Sequence, residues 1–151
     1  RTFGTPFLYL SLGSVGVNDM TIRRITGSTY VRFFKNEDTQ HVRGQISTNG
    51  LFGTWKAIGS NTDWVDPNDQ TEGPLLFKDN VVANKYHIWV DRYGNTNCQG
   101  YVPYETNSIS GGVYAPSSTA GLPACGELKQ GRVIPITAAQ RSKLLSAYPP
   151  S

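Results

Sequence analysis

Thr71-Glu72-Gly73-Pro74-Leu75-Leu76-Phe77-Lys78, followed after a short gap by Tyr86-His87-Ile88-Trp89-Val90-Asp91, is the stretch on which the reading of the chain turns. A carboxylate stands before a Gly-Pro pair, and an apolar run begins at once. Pro74 fixes its own φ and disfavours helix at Gly73. Gly73 permits a sharp turn or a close backbone approach. The pattern aims Glu72 from the entrance of a strand. The plainer reading is a polar cap on that strand, and the rest of the chain decides between them.

On both sides of this stretch the signals are those of strands. Upstream, Thr5-Pro6-Phe7-Leu8-Tyr9-Leu10 reads as a short strand, and Met20 to Ile25 as another. Gly27-Ser28 then turns the chain into Thr29-Tyr30-Val31-Arg32-Phe33-Phe34-Lys35, a hairpin set by a short Gly-containing loop. His41 to Ser47 forms a third strand, and Trp55 to Ile58 a weaker fourth. A polar connection, residues 59–70, precedes Glu72. The pattern then restarts with strands at Pro74–Lys78, Lys85–Tyr93 and Gly100–Glu105, and a short one at Val113–Ala115. About fifty residues separate the two rounds, a spacing compatible with propeller blades and equally with a sandwich or barrel. Arg132 to Ile136 reads as one last strand. Thr137 caps a helix to about Tyr148, with Gln140 completing a capping box and Leu144, Leu145 and Tyr148 as its apolar face. That helix reads as a structural lid.

Composition narrows the function classes. The 151 residues amount to one domain with room for a sizeable core. The net charge is +3, and Lys and Arg are scattered, so no basic stripe marks a nucleic-acid partner. No run approaches the ~18 apolar residues of a membrane span. No signal peptide is evident, and a start at Arg1 fits a mature or truncated chain. Cys98 and Cys125 lie 27 residues apart without zinc-site spacing. They fit a disulfide in a secreted, extracellular protein, with two free thiols in a cytosolic one as the other reading. His41 and His87 have no ligand-spaced partner and read as packing or surface residues. Asp38, Asp63, Asp66 and Asp69 read as solvated loop charges. Trp64, just before Glu72, is a candidate to stack on a sugar ring.

Taken in order, these pieces resemble glycoside hydrolase family 43, the arabinofuranosidase, arabinanase and xylosidase group. The resemblance rests on Asn18-Asp19-Met20-Thr21-Ile22; on Tyr30 to Lys35 with Glu37; on Ser47 with Leu51, Gly53 and Trp55; and on Glu72-Gly73-Pro74. It continues through Asp91-Arg92-Tyr93, Gly100-Tyr101-Val102-Pro103 and Gly131 to Thr137. It runs through essentially the whole chain, and implies a five-bladed β-propeller with the active site at one end of its central channel. About two and a half blades, the C-terminal half, would be present in residues 1–151.

By residue match, Glu72 becomes the general acid of an inverting glycosidase and Asp19 the carboxylate that orients it and tunes its proton. An acid of this kind needs burial and a neighbouring negative charge. The general base stands roughly 6.5–9.5 Å away to leave room for a water. It belongs to the family's first blade and has no counterpart here, so it is expected on a missing segment or partner chain. Trp64, Arg92, Tyr93 and Gln130 are the expected substrate contacts. Where the family has a His-Gly pair beside a central ion or water cluster, this chain has Gln130-Gly131. No metal is therefore assigned, and a central calcium or sodium ion is not counted as a cofactor.

Two functions follow from the resemblance. One is hydrolysis of arabinose- or xylose-containing plant polysaccharide. The other is a non-catalytic carbohydrate-binding half-propeller. An open blade face and strand edge imply a companion N-terminal half or self-association.

Overall fold

The structure, a computed structural model, describes residues 4–60, 64–94, 100–120, 122 and 128–149. Its architecture is two four-stranded antiparallel sheets and one short C-terminal helix. The first sheet holds β1 (Val17–Thr26), β2 (Thr29–Asn36), β3 (His41–Ser47) and β4 (Lys56–Ala57) in sequence order. The second holds β5 (Thr71–Lys78), β6 (Tyr86–Arg92), β7 (Gly100–Thr106) and β8 (Ala115–Pro116), again in sequence order. Each sheet is thus a meander whose strands pair with their sequence neighbours, as the repeated pattern predicts. The β1–β2 hairpin turns between Thr26 and Thr29, which pair with one another, with Gly27 in the left-handed region.

The core lies between the sheets. β2 and β3 contribute Val31, Phe33 and Val42; β5, β6 and β7 contribute Leu76, Ile88, Val90 and Tyr104. Ile58 and Val65 seal the core from the connection between the sheets. In the second sheet the alternation of side chains splits the strands cleanly. Leu76, Ile88 and Tyr104 share a cross-strand row on the core side, and the row of Leu75, Trp89 and Pro103 faces the other way. The tail runs past that second face. Leu128 accepts a backbone bond from Tyr101 at 3.0 Å, and Val133 to Ile136 line a cavity together with Phe77 and His87.

Four expectations change. Thr5 to Leu10 forms no strand, because no neighbouring strand offers it a ladder. It packs instead through rings, Phe7 against Phe52 and Tyr9 over Arg32, and Tyr9 Oη donates to the Leu51 carbonyl. Arg132 to Ile136 also forms no strand and remains unpaired beside β1 and β5. The helix α1 (Ala138–Ala147) has the expected capping box between Thr137 and Gln140, yet none of its residues is buried. Leu144, Leu145 and Tyr148 are exposed, so the helix is not a lid on this chain's core. Finally, Asp66 and Asp69 are buried rather than solvated. Asp66 accepts from Arg92 Nε and from the Asn68 amide, and Asp69 accepts from the Gln70 amide. Cys98, Cys125 and Asp63 lie outside the described residues.

Candidate active site

β1 and β5 begin with the same irregularity. In β1, Asn18 stands opposite Lys35 and Thr21 opposite Phe33, so Asp19 and Met20 face a single residue. In β5, Glu72 stands opposite Asp91 and Leu75 opposite Trp89, so Gly73 and Pro74 face one residue likewise. Each is a β-bulge, an extra residue that bends its strand and re-phases the side chains after it. Glu72 and Leu75, three apart in sequence, consequently point to one face. The first bulge residues are Asp19, with φ 49°, and Gly73, with φ 52°. Pro74 has no amide to lose from the ladder, which is why it is tolerated at this point of the strand.

The two bulges meet. Asp19 Oδ2 accepts a hydrogen bond from the Gly73 amide at 3.2 Å and another from Gln130 Nε2 at 3.4 Å. Gln130 is itself left-handed, with φ 25°. A Cβ on Gly73 would stand 3.0 Å from Gln130 Cγ, so the glutamine side chain would have to give way. Three backbone positions of a kind that clusters at functional sites therefore converge on one point. Tyr101 ties the same point to the tail, its hydroxyl donating to the Gly73 carbonyl at 3.2 Å and accepting from the Gly131 amide at 2.6 Å. Asp19, Gly73, Tyr101 and Gln130 form one wall of a cavity of about 460 Å³. Glu72 is not a wall of this cavity and adjoins it through Gly73.

Glu72 is held from the first sheet. Lys35 Nζ lies 3.2 Å from Glu72 Oε2 and 3.3 Å from Glu37 Oε2, and 4.5 Å from the centre of the Tyr93 ring. Burial alone would lower the Lys35 ammonium. Tyr93, Glu72 and Glu37 outweigh it and hold the group above its ordinary value. The Tyr93 hydroxyl donates in turn to Gln40 Oε1. Asp91, across the strands from Glu72, is buried, and burial raises its carboxyl. The Lys129 cation opposes that rise, the charge of Glu72 adds to it, and the Gly100 and Gln130 amides oppose it. Burial also raises the Tyr101 hydroxyl; the Gly131 amide works against this, and the charges of Asp91 and Asp19 reinforce it.

Of the expected site residues, Asp19 and Gln130 meet at the cavity wall, and Glu72 and Tyr93 meet on Lys35. Arg92 and Trp64 have other partners. Arg92 follows Asp91 in β6 and so points to the opposite face, where it binds buried Asp66 and the Tyr104 hydroxyl at 3.1 Å. Trp64 lies flat on His41 with ring centres 4.0 Å apart, and its backbone bridges Arg43. The reading by residues left Lys35, Gln40, Asp91 and Tyr101 without a role. Lys35, Asp91 and Tyr101 stand inside the quoted motifs, which was the available signal; Gln40 carried none. Among the described residues no group of three or more His, Cys, Asp or Glu is gathered to hold a metal ion. Among the described residues no helix is long and apolar enough to cross a membrane.

The family model described as "Probable glycosyl hydrolase domain" matches residues 1–142. Neither the curated proteins nor the solved structures contain a match to the chain. The match spans nearly all of the sequence, both bulged strands and the Asp19–Gly73 junction included, and the chain belongs to the glycosyl hydrolase family 43-related domains.

Proposed function

We propose that this domain is part of an inverting glycoside hydrolase acting on arabinose- or xylose-containing plant polysaccharide, with Glu72 as general acid and Asp19 as the carboxylate that orients it. The observation that carries the reading is the Asp19 carboxylate seated on the Gly73 amide, one residue from Glu72, at the wall of a polar cavity. In this reading the two sheets are successive blades of a propeller. Tyr93 and Gln130 contribute to the substrate surface, and a further segment or partner chain carries the general base. Glu72 delivers its proton to the leaving glycosidic oxygen while the base activates a water on the opposite face of the sugar. Asp19, fixed by two donors, holds a negative charge beside the acid without itself meeting the sugar oxygen. The protein works outside the cell, where its substrate is found.

Reducing-sugar release from arabinan and arabinoxylan tests this directly. Glu72→Gln should lower turnover at least about 100-fold, the usual worth of a positioned acid. Turnover in Glu72→Gln equal to that of the parent would remove the assignment. Binding of the polysaccharide without any release by the parent protein would identify a carbohydrate-binding domain instead.

A further inference from the structure

Glu72, Asp91 and Tyr101 are direct cross-strand neighbours in β5, β6 and β7, so their side chains share one face. The same row of the first sheet is Asn18, Lys35 and Val42. There Lys35 crosses to Glu72, on the first strand of the next sheet. Its counterpart Asp91 meets the tail, where the Lys129 cation and the Gln130 backbone amide act on it. The second sheet therefore repeats the arrangement of the first with the charges exchanged.

Asp91 is only 1% exposed, and its Oδ1 has no hydrogen-bond partner among the described residues. A buried carboxyl oxygen left without a donor is costly. An apolar residue would fill the position at no such cost. The charged and titratable groups facing Asp91 are Glu72 from β5, Tyr101 from β7 and Lys129 from the tail. Asp19 of β1 acts one step away through Gly73, and Lys35 of β2 sits against Glu72.

We propose that Asp91 is a positioning residue for Glu72: its buried carboxyl sets the charge against which Glu72 releases and regains its proton. The role rests on the assignment of Glu72 as the acid. The charge of Glu72 acts to raise the Asp91 carboxyl, and the interaction between two carboxyls is mutual. Asp19, whose carboxylate is engaged by two donors, fixes the bulge as well.

Carboxyl-carbon NMR titration of the full chain and its Glu72→Gln variant reads the coupling without any assay of turnover. The Asp91 Cγ midpoint should fall in Glu72→Gln by about half a pH unit or more, about a threefold change in proton affinity. In parallel, Asp91→Asn should displace the pH profile of kcat/KM on an aryl arabinofuranoside or xyloside, with KM held within about twofold. Loss of turnover in Glu72→Gln together with an unmoved Asp91 midpoint overturns the Asp91 role alone. Undiminished turnover in Glu72→Gln removes the acid assignment and this role with it. The NMR arm does not depend on the folding of Asp91→Asn.

Discussion

Asp19 and Gly73 occupy the same place in successive sheets, and the carboxylate of one receives the amide of the other at 3.2 Å. Both are the left-handed first residue of a bulge near the start of the sheet's first strand. In the second sheet this residue is glycine, which accepts the conformation freely and leaves the amide uncovered. In the first it is an aspartate, a residue type tolerant of the left-handed region, and its side chain reaches the neighbouring bulge.

Gly73→Ala should therefore destabilise the domain. The new Cβ meets Gln130 Cγ at 3.0 Å, and a non-glycine residue there is strained as well. The cost should be about 1–3 kcal/mol. Thermal melting checks it, with a Tm fall of at least about 3 °C expected.

Asp19→Asn keeps an oxygen able to accept from the Gly73 amide and removes only the charge. Its Tm should stay within about 3 °C of the parent, while turnover falls at least about tenfold. Asp19→Ala loses the contact too and should cost stability in addition. Equal activity in the parent and Asp19→Asn would exclude the charge from the mechanism.

Arg92 offers a test of a different kind, because it separates a sugar contact from a structural ion pair. Arg92→Ala leaves the fully buried Asp66 carboxylate without its cation. Breaking such a pair on one side typically costs about 3–5 kcal/mol. Chemical denaturation should show that loss. A raised KM with unchanged stability would point instead to a substrate contact.

The Asp79–His87 pair governs a pH dependence of stability. The Val82 amide, then His87, then the Val81 amide hold the Asp79 carboxyl well below the usual range; the His87 contact is 2.8 Å. A carboxyl depressed in the folded state stabilises that state above its unfolded value and loses the effect as pH falls through the folded value. Asp79→Asn should melt below the parent at pH 7. The gap should persist down to about pH 4 and narrow in more acidic solution. A gap independent of pH down to about 2 would contradict this sign.

Association is expected from the tail. Val133, Ile134, Ile136, Leu144, Leu145 and Tyr148 are all exposed, and the adjoining residues 132–136 have no strand partner. We propose that this run of exposed apolar side chains is an interaction surface. Light scattering should return a mass above the 16.6 kDa of the chain, or a companion polypeptide should copurify. A monodisperse species of 16.6 kDa would count against it.

The strands were legible because their signal is local. The Gly27-Ser28 hairpin, the His41–Ser47 strand and the Thr137–Gln140 capping box depend on alternation, turn residues and three-residue spacing, and each stands where the residues placed it. The failures share a cause. Thr5 to Leu10 and Arg132 to Ile136 have strand composition, but a strand exists only where a neighbour supplies the ladder, and none does.

Glu72 and the Gly73-Pro74 break could be picked out of the chain by themselves, since a carboxylate before a Gly-Pro pair and an apolar run is a local pattern; Asp19 stands out only through the family resemblance. Tertiary structure decided which of their neighbours matter. Asp66 looked solvated among loop residues and is buried because Arg92 reaches it from the core side of β6. Asp91 and Arg92 are adjacent in sequence and part company because successive residues of a strand face opposite ways. Glu72 and Leu75 share a face although strict alternation would separate them, because the bulge at Gly73 inserts one residue. Register is set by pairing with the neighbouring strand and shifted by the bulges, the Asp19–Gly73 contact joins bulges 54 residues apart, and no local pattern encodes either.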